Sequence, residues 1–235
     1  MSKINRTGLF AGVGALCLSV GVFPFASAGA LHPGEHDGDD GKDDRARTEQ
    51  SYELAGFDRI DVSGVYNVDV TVGGEFSVSI KASARERERT DIYVEDGVLK
   101  LAMKKGKRNW DRRDSVDARI VMPALNALEV SGVVDGKISG IDAEGFEVEI
   151  SGVGDMELSG QCSRLRARVS GVGDLNARGL ECRDANVRVS GVGDATVFAS
   201  ESVDASASGV GDIDVFGNPS EVRESGGLFS DVTIR

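Results

Sequence analysis

A five-residue phrase returns five times in the second half of the chain, and its spacing restricts the fold more than any other feature. The copies are Ser131-Gly132-Val133-Val134-Asp135, Ser151-Gly152-Val153-Gly154-Asp155, Ser170-Gly171-Val172-Gly173-Asp174, Ser190-Gly191-Val192-Gly193-Asp194 and Ser208-Gly209-Val210-Gly211-Asp212. Their serines lie 20, 19, 20 and 18 residues apart, and a decayed copy, Ser225-Gly226-Gly227, follows after 17. A fixed period near 20 residues marks a stack of like units, each burying its apolar face only against the next.

Aligned on serine, the copies form columns. Val130, Ile150, Val169, Val189 and Ala207 stand one position before it, and Leu128, Val148, Ala167, Val187 and Ala205 three before, with polar residues between. After the phrase, Met156 and Leu158, Leu175 and Ala177, Ala195 and Val197, Ile213 and Val215 resume the alternation. This period of two is that of a strand with one buried face. A second glycine column at Gly140, Gly160, Gly179 and Gly217, with Ala199 in the fourth coil, closes the second strand.

Within the phrase, the glycines read as corners that need positive φ or close backbone approach. The valine reads as core, and the aspartate as an Asx-type acceptor for a turn N–H. No stretch after Ser51 keeps a 3.6-residue apolar period, so helices fit badly. The expectation is an all-β chain, a single-stranded, right-handed parallel β-helix or β-solenoid of about 18–20 residues per coil. Residues 52–125 show alternating strands but no clean repeat, and Ser63-Gly64-Val65 echoes the later phrase. They read as longer, irregular coils and a cap, 126–225 as the regular coils, and 226–235, with Phe229, Val232 and Ile234, as the second cap.

The first 28 residues have the form of an export signal: basic Lys3 and Arg6, apolar Leu9 to Phe25, and cleavage after Ala28 or Ala30. Cys17 leaves with it, and a retained membrane anchor is the competing reading. Residues 29–51 are polar and acidic, the composition of a disordered linker. Both histidines, His32 and His36, lie there without the spacing of a metal site. The expected folded body thus has no histidine, which removes Ser-His-Asp and Cys-His nucleophiles, and no catalytic residues are assigned.

After signal removal 25 Lys and Arg face 39 Asp and Glu, a balance that argues against nucleic acid as a partner. A basic cluster of Arg85, Arg87, Arg89, Lys104, Lys105, Lys107, Arg108, Arg112 and Arg113 surrounds Trp110. It reads as a solvated loop pair or as a patch for an anionic glycan or lipid surface. Cys162 and Cys182 are one repeat apart, so stacking brings them within disulfide reach. Glu149 is expected beside Arg168 of the next coil as an opposite-charge pair.

The aspartate column, Asp135, Asp155, Asp174, Asp194 and Asp212, raises a sharper question. Carboxylates one strand apart repel by about 0.9 kcal/mol per pair in water. Turn N–H donors, basic neighbours or calcium could relieve this. The calcium-binding nonapeptide ladder has a nine-residue period, whereas here one aspartate falls in each coil, so capping is preferred to a calcium site.

Phe57-Asp58-Arg59-Ile60 leading into Val62-Ser63-Gly64-Val65, then Val98-Leu99-Lys100-Leu101, Met122-Pro123-Ala124-Leu125 and the serial glycine corners carry a family likeness. Over residues 52–235 the chain resembles the bacterial auto-transporter adhesin head GIN domains. The resemblance implies a β-helix without recognised catalytic residues, no cofactor, and a role in adhesion or envelope structure. Aspartate at the corner departs from the simpler Gly-Ser-Gly-like turn of that family. The expected function is a non-catalytic exported protein, periplasmic or on the cell surface, that binds an envelope, glycan or protein surface. The alternative is a carbohydrate-active β-helix acting on acidic polysaccharide, marked by a cleft of converging carboxylates with Lys or Arg.

Overall fold

The structure is a computed structural model, and it describes residues 46–104 and 115–235. The front half contributes β1 (Thr48–Tyr52), β2 (Arg59–Val62), β3 (Val65–Val72), β4 (Ser77–Ala82), α1 (Ala84–Arg89), β5 (Thr90–Glu95), β6 (Val98–Met103), β7 (Val116–Met122) and β8 (Ala127–Val130). The repeats contribute β9 (Val133–Ile150), β10 (Met156–Val169), β11 (Leu175–Val189), β12 (Ala195–Ala207), β13 (Ile213–Phe216), β14 (Glu221–Ser225) and β15 (Val232–Ile234).

These strands join one mixed, largely parallel sheet. Its backbone is the parallel series β9-β10-β11-β12, in which each repeat lies on the previous one in register: Val148 beside Ala167, Ala167 beside Val187, Val187 beside Ala205. The period of about 20 residues is thus the chain length that returns a strand to its neighbour. The first part of β9 pairs with β3, while its last part pairs with β8, so one strand borders two different partners. The apolar columns that flank the repeated phrase are all buried. Stacking like on like makes one continuous core, to which each fully buried Val, Leu or Ile contributes about 1.5–3 kcal/mol.

The echo in the front half belongs to the stack. Val65 is the register partner of Val133, and the Val133 N–H donates to Gly64 O at 2.9 Å. Tyr66 beside it is buried, its hydroxyl donating to Ala102 O at 3.2 Å. At this end the sheet turns antiparallel through β7, β4 and β1.

Four expectations need correction here. The chain is not wholly β: Ser83 Oγ accepts the Glu86 N–H while Glu86 Oε2 accepts the Ser83 N–H, a capping box that starts α1 without any apolar period. The end of the acidic segment, from Thr48, is strand and not linker. Arg47 fastens it there through ion pairs to Glu86 and Asp117, at 3.6 and 3.4 Å. Gly179 is offset from the second glycine column, because Gly160 pairs with Leu180 across a register shift. Finally, Phe229 does not cap the core, being 76% exposed, whereas half-buried Val232 and Ile234 do pack against it.

Candidate binding surface

The period of two continues straight through the repeated phrase. Val169 points in, Ser170 out, Gly171 in, Val172 out, Gly173 in, Asp174 out and Leu175 in. The valine is therefore not core, contrary to the sequence reading: Val133, Val153, Val172, Val192 and Val210 are 47–53% exposed. Counting in twos from Val169 would have found this. The inward positions are glycine, save for buried Val134 in the first copy, because the copies touch there backbone to backbone. A Cβ on Gly171 would strike Gly152 O, and one on Gly173, at φ +140°, would strike Gly154 O.

Parallel bridges link the valines from Val133 to Val210, each one strand apart. The row extends at both ends. Val65 precedes it, and the Gly211 N–H donates to Phe229 O as the Gly193 N–H donates to Val210 O, which puts Phe229 in the next valine position. The result is a straight apolar row of about 29 Å, six strand spacings. A shallow depression of about 800 Å³ runs along it, lined by the serines, glycines and valines of the copies.

The aspartate column lies beside this row. The backbone N–H groups of Asp155, Asp174, Asp194 and Asp212 donate to Oδ1 of Asp135, Asp155, Asp174 and Asp194, at 3.2, 2.9, 2.8 and 2.8 Å. Each carboxylate therefore caps the following copy, not its own turn as an Asx reading requires. Asp231, which the sequence reading missed, continues the column by donating to Asp212 Oδ1 at 2.9 Å. Serine spacing alone aligns Ser225 with Ser208, whereas its register partner is Ser206, which hides that relation in the sequence. Among the described residues no group of three or more His, Cys, Asp or Glu is placed to hold a metal ion.

A second concave surface, of about 860 Å³, crosses the outward positions of β9 to β14. One of its columns runs Glu147, Arg166, Asn186, Asp204, Arg223, and the other Arg164, Asp184, Ser202, Glu221. Several of these are engaged: Arg164 pairs with Glu144 at 2.9 Å, and Ser202 donates to Asp184 at 2.6 Å. Arg168 is the register partner of Glu149, as expected, but its ion pair is diagonal, to Glu147 at 3.0 Å.

Cys162 and Cys182 are register partners joined by a disulfide, with Cα atoms 4.5 Å apart. In the basic cluster, Arg87 is spent on the carbonyls of Thr48 and Ala82. Lys105, Lys107, Arg108, Trp110, Arg112 and Arg113 lie outside the described residues, as do Ala28, Ala30, His32 and His36.

The parallel stack and its exposed rows define a mostly β protein with one large, largely parallel sheet. By its sequence the chain belongs to the family described as "Putative auto-transporter adhesin, head GIN domain", whose model matches residues 56–219. In structure it is similar to a putative adhesin from Bacteroides fragilis NCTC 9343, with 25% identity and a TM-score of 0.67 over 80% of this chain and 97% of that one. A putative adhesin from Parabacteroides distasonis ATCC 8503 shares the fold at 18% identity and a TM-score of 0.50, over 81% and 98%. No curated protein matches the chain in sequence. No helix among the described residues is long and apolar enough to cross a membrane.

Proposed function

We propose that the chain is a non-catalytic, exported adhesion or envelope-binding protein, a right-handed β-solenoid that binds through its outward valine row. Residues 1–28 act as the signal, residues 29 to about 47 as a linker, and the remainder as the rod. The observation that carries this reading is the row itself. Five half-exposed valines in one register cost solubility and add little to the core, which makes them a feature of recognition. The disulfide suits an oxidising compartment, and the family supports adhesion. The aspartate column serves as structural capping, with no calcium required. The purified chain should bind isolated cell envelopes or members of a glycan array equally with and without calcium. Absence of binding to both would defeat the proposal.

A second reading has one observation in its favour. The side chains of Arg166, Asp204, Glu221 and Arg223 line the larger groove without a hydrogen bond or ion pair to any described residue. That suits contact with an acidic polysaccharide. Turnover of such a polymer, abolished by Arg166→Ala or Asp204→Asn, would favour an enzyme over the adhesion role.

A further inference from the structure

The two ends of the stack differ. One is closed by the antiparallel strands β7, β4 and β1, with α1 ion-paired to Arg47. At the other, among the described residues, β14 pairs only with β12, and all five of its residues are exposed. Its outer edge is a row of backbone groups with no partner among the described residues, a template for another strand. Val222, 41% exposed, lies over buried Val203, and Leu228 and Phe229 are exposed nearby in sequence. This edge falls outside the residues matched by the family, 56–219.

The side chains of β14 say which strand fits. Antiparallel pairing with itself, centred on Val222, sets Val222 against Val222 on the face that carries Val203. On the opposite face it sets Glu221 against Arg223 twice, once on each side of the axis. Neither side chain has an ion pair or hydrogen bond to a described residue. Centred one residue further on, the same pairing would oppose Arg223 to Arg223 and lose both charge pairs. We infer that two copies of the chain pair through β14, antiparallel about a two-fold axis at Val222, to form a closed dimer.

Sedimentation velocity of the purified chain, with charge-swapped variants, tests this. The chain should associate to a species that stops at two copies. Glu221→Arg and Arg223→Glu should each weaken the dimer about tenfold or more, since each opposes like charges at both contacts. An equimolar mixture of the two variants should recover association as a heterodimer, as should the double variant alone. Both side chains are exposed, so thermal melts should match those of the unmodified chain at dilutions where that chain is itself monomeric. A monomer throughout the soluble range, an open-ended polymer, or single variants that dimerise undiminished would overturn the inference. So would a monomer whose Glu221–Ser225 amides resist hydrogen exchange, because the edge would then belong to another segment of the same chain.

Discussion

The backbone N–H of Asp194 donates to the Oδ1 of Asp174 at 2.8 Å, one full repeat away in sequence. A carboxylate that would otherwise repel its neighbours therefore pins the next copy in register, and the same link recurs along the column. Asp174→Ala should cost about 0.5–1.5 kcal/mol in urea unfolding, kept small by solvent exposure and by relief of repulsion. Asp174→Asn keeps the acceptor oxygen and should stay within about 0.5 kcal/mol of the unmodified chain. EDTA should leave the melting temperature unchanged. A clear drop with EDTA, restored by calcium, would return the column to metal binding.

The inward glycines should be far less tolerant than other glycines of the same sheet. Gly173→Ala combines φ +140° with a clash against the Gly154 carbonyl, and should cost about 3 kcal/mol or more. Gly145→Ala meets nothing within 4 Å, and should be neutral or slightly stabilising. Equal melting temperatures for the two variants would contradict the backbone contact between copies.

Much of this was legible before any coordinates. Period and alternation gave the parallel stack, the buried columns and the pairing of Cys162 with Cys182, because like residues repeat at the distance a strand needs to return. Three features were not legible for physical reasons. Val172 was placed inside because hydrophobicity was allowed to override the count of two. Phe229 and Asp231 escaped because serine spacing aligns Ser225 with Ser208, two residues away from Ser206, its partner in the unbroken register. The helix at Ala84 rests on a capping box, a local hydrogen-bond pattern that apolar periodicity does not report.

The disulfide ties two adjacent copies at their shared register position. Peptide mapping without reduction should recover Cys162 and Cys182 cross-linked. Replacing both by alanine should cost about 3 kcal/mol, the loop-closure value for a bridge of this sequence separation. Quantitative alkylation of both thiols in the purified chain would contradict the pairing.

Tyr66 sets an alkaline limit. Burial, with smaller contributions from Tyr52 and Asp91, holds its hydroxyl well above the ordinary value of 10.0. The unfolded chain ionises at that value while the folded chain keeps its proton. This contribution is therefore fully present below about pH 10 and is lost as pH rises through that value toward the folded pKa. Tyr66→Phe should cost about 1 kcal/mol at neutral pH through its hydrogen bond to Ala102 O, and should flatten the fall in stability above pH 10. An unchanged alkaline profile would contradict the assignment.

The separation of a stabilising interior from a binding row is open to one direct comparison. Binding to isolated cell envelopes should be measured for the unmodified chain, for Val172→Ser/Val192→Ser on the outward row, and for Arg178→Ala as an exposed control. The paired valine variant should lose binding about tenfold or more while its melting temperature stays close to that of the unmodified chain. The control should bind normally. Undiminished binding by the valine variant would contradict the row as the recognition surface.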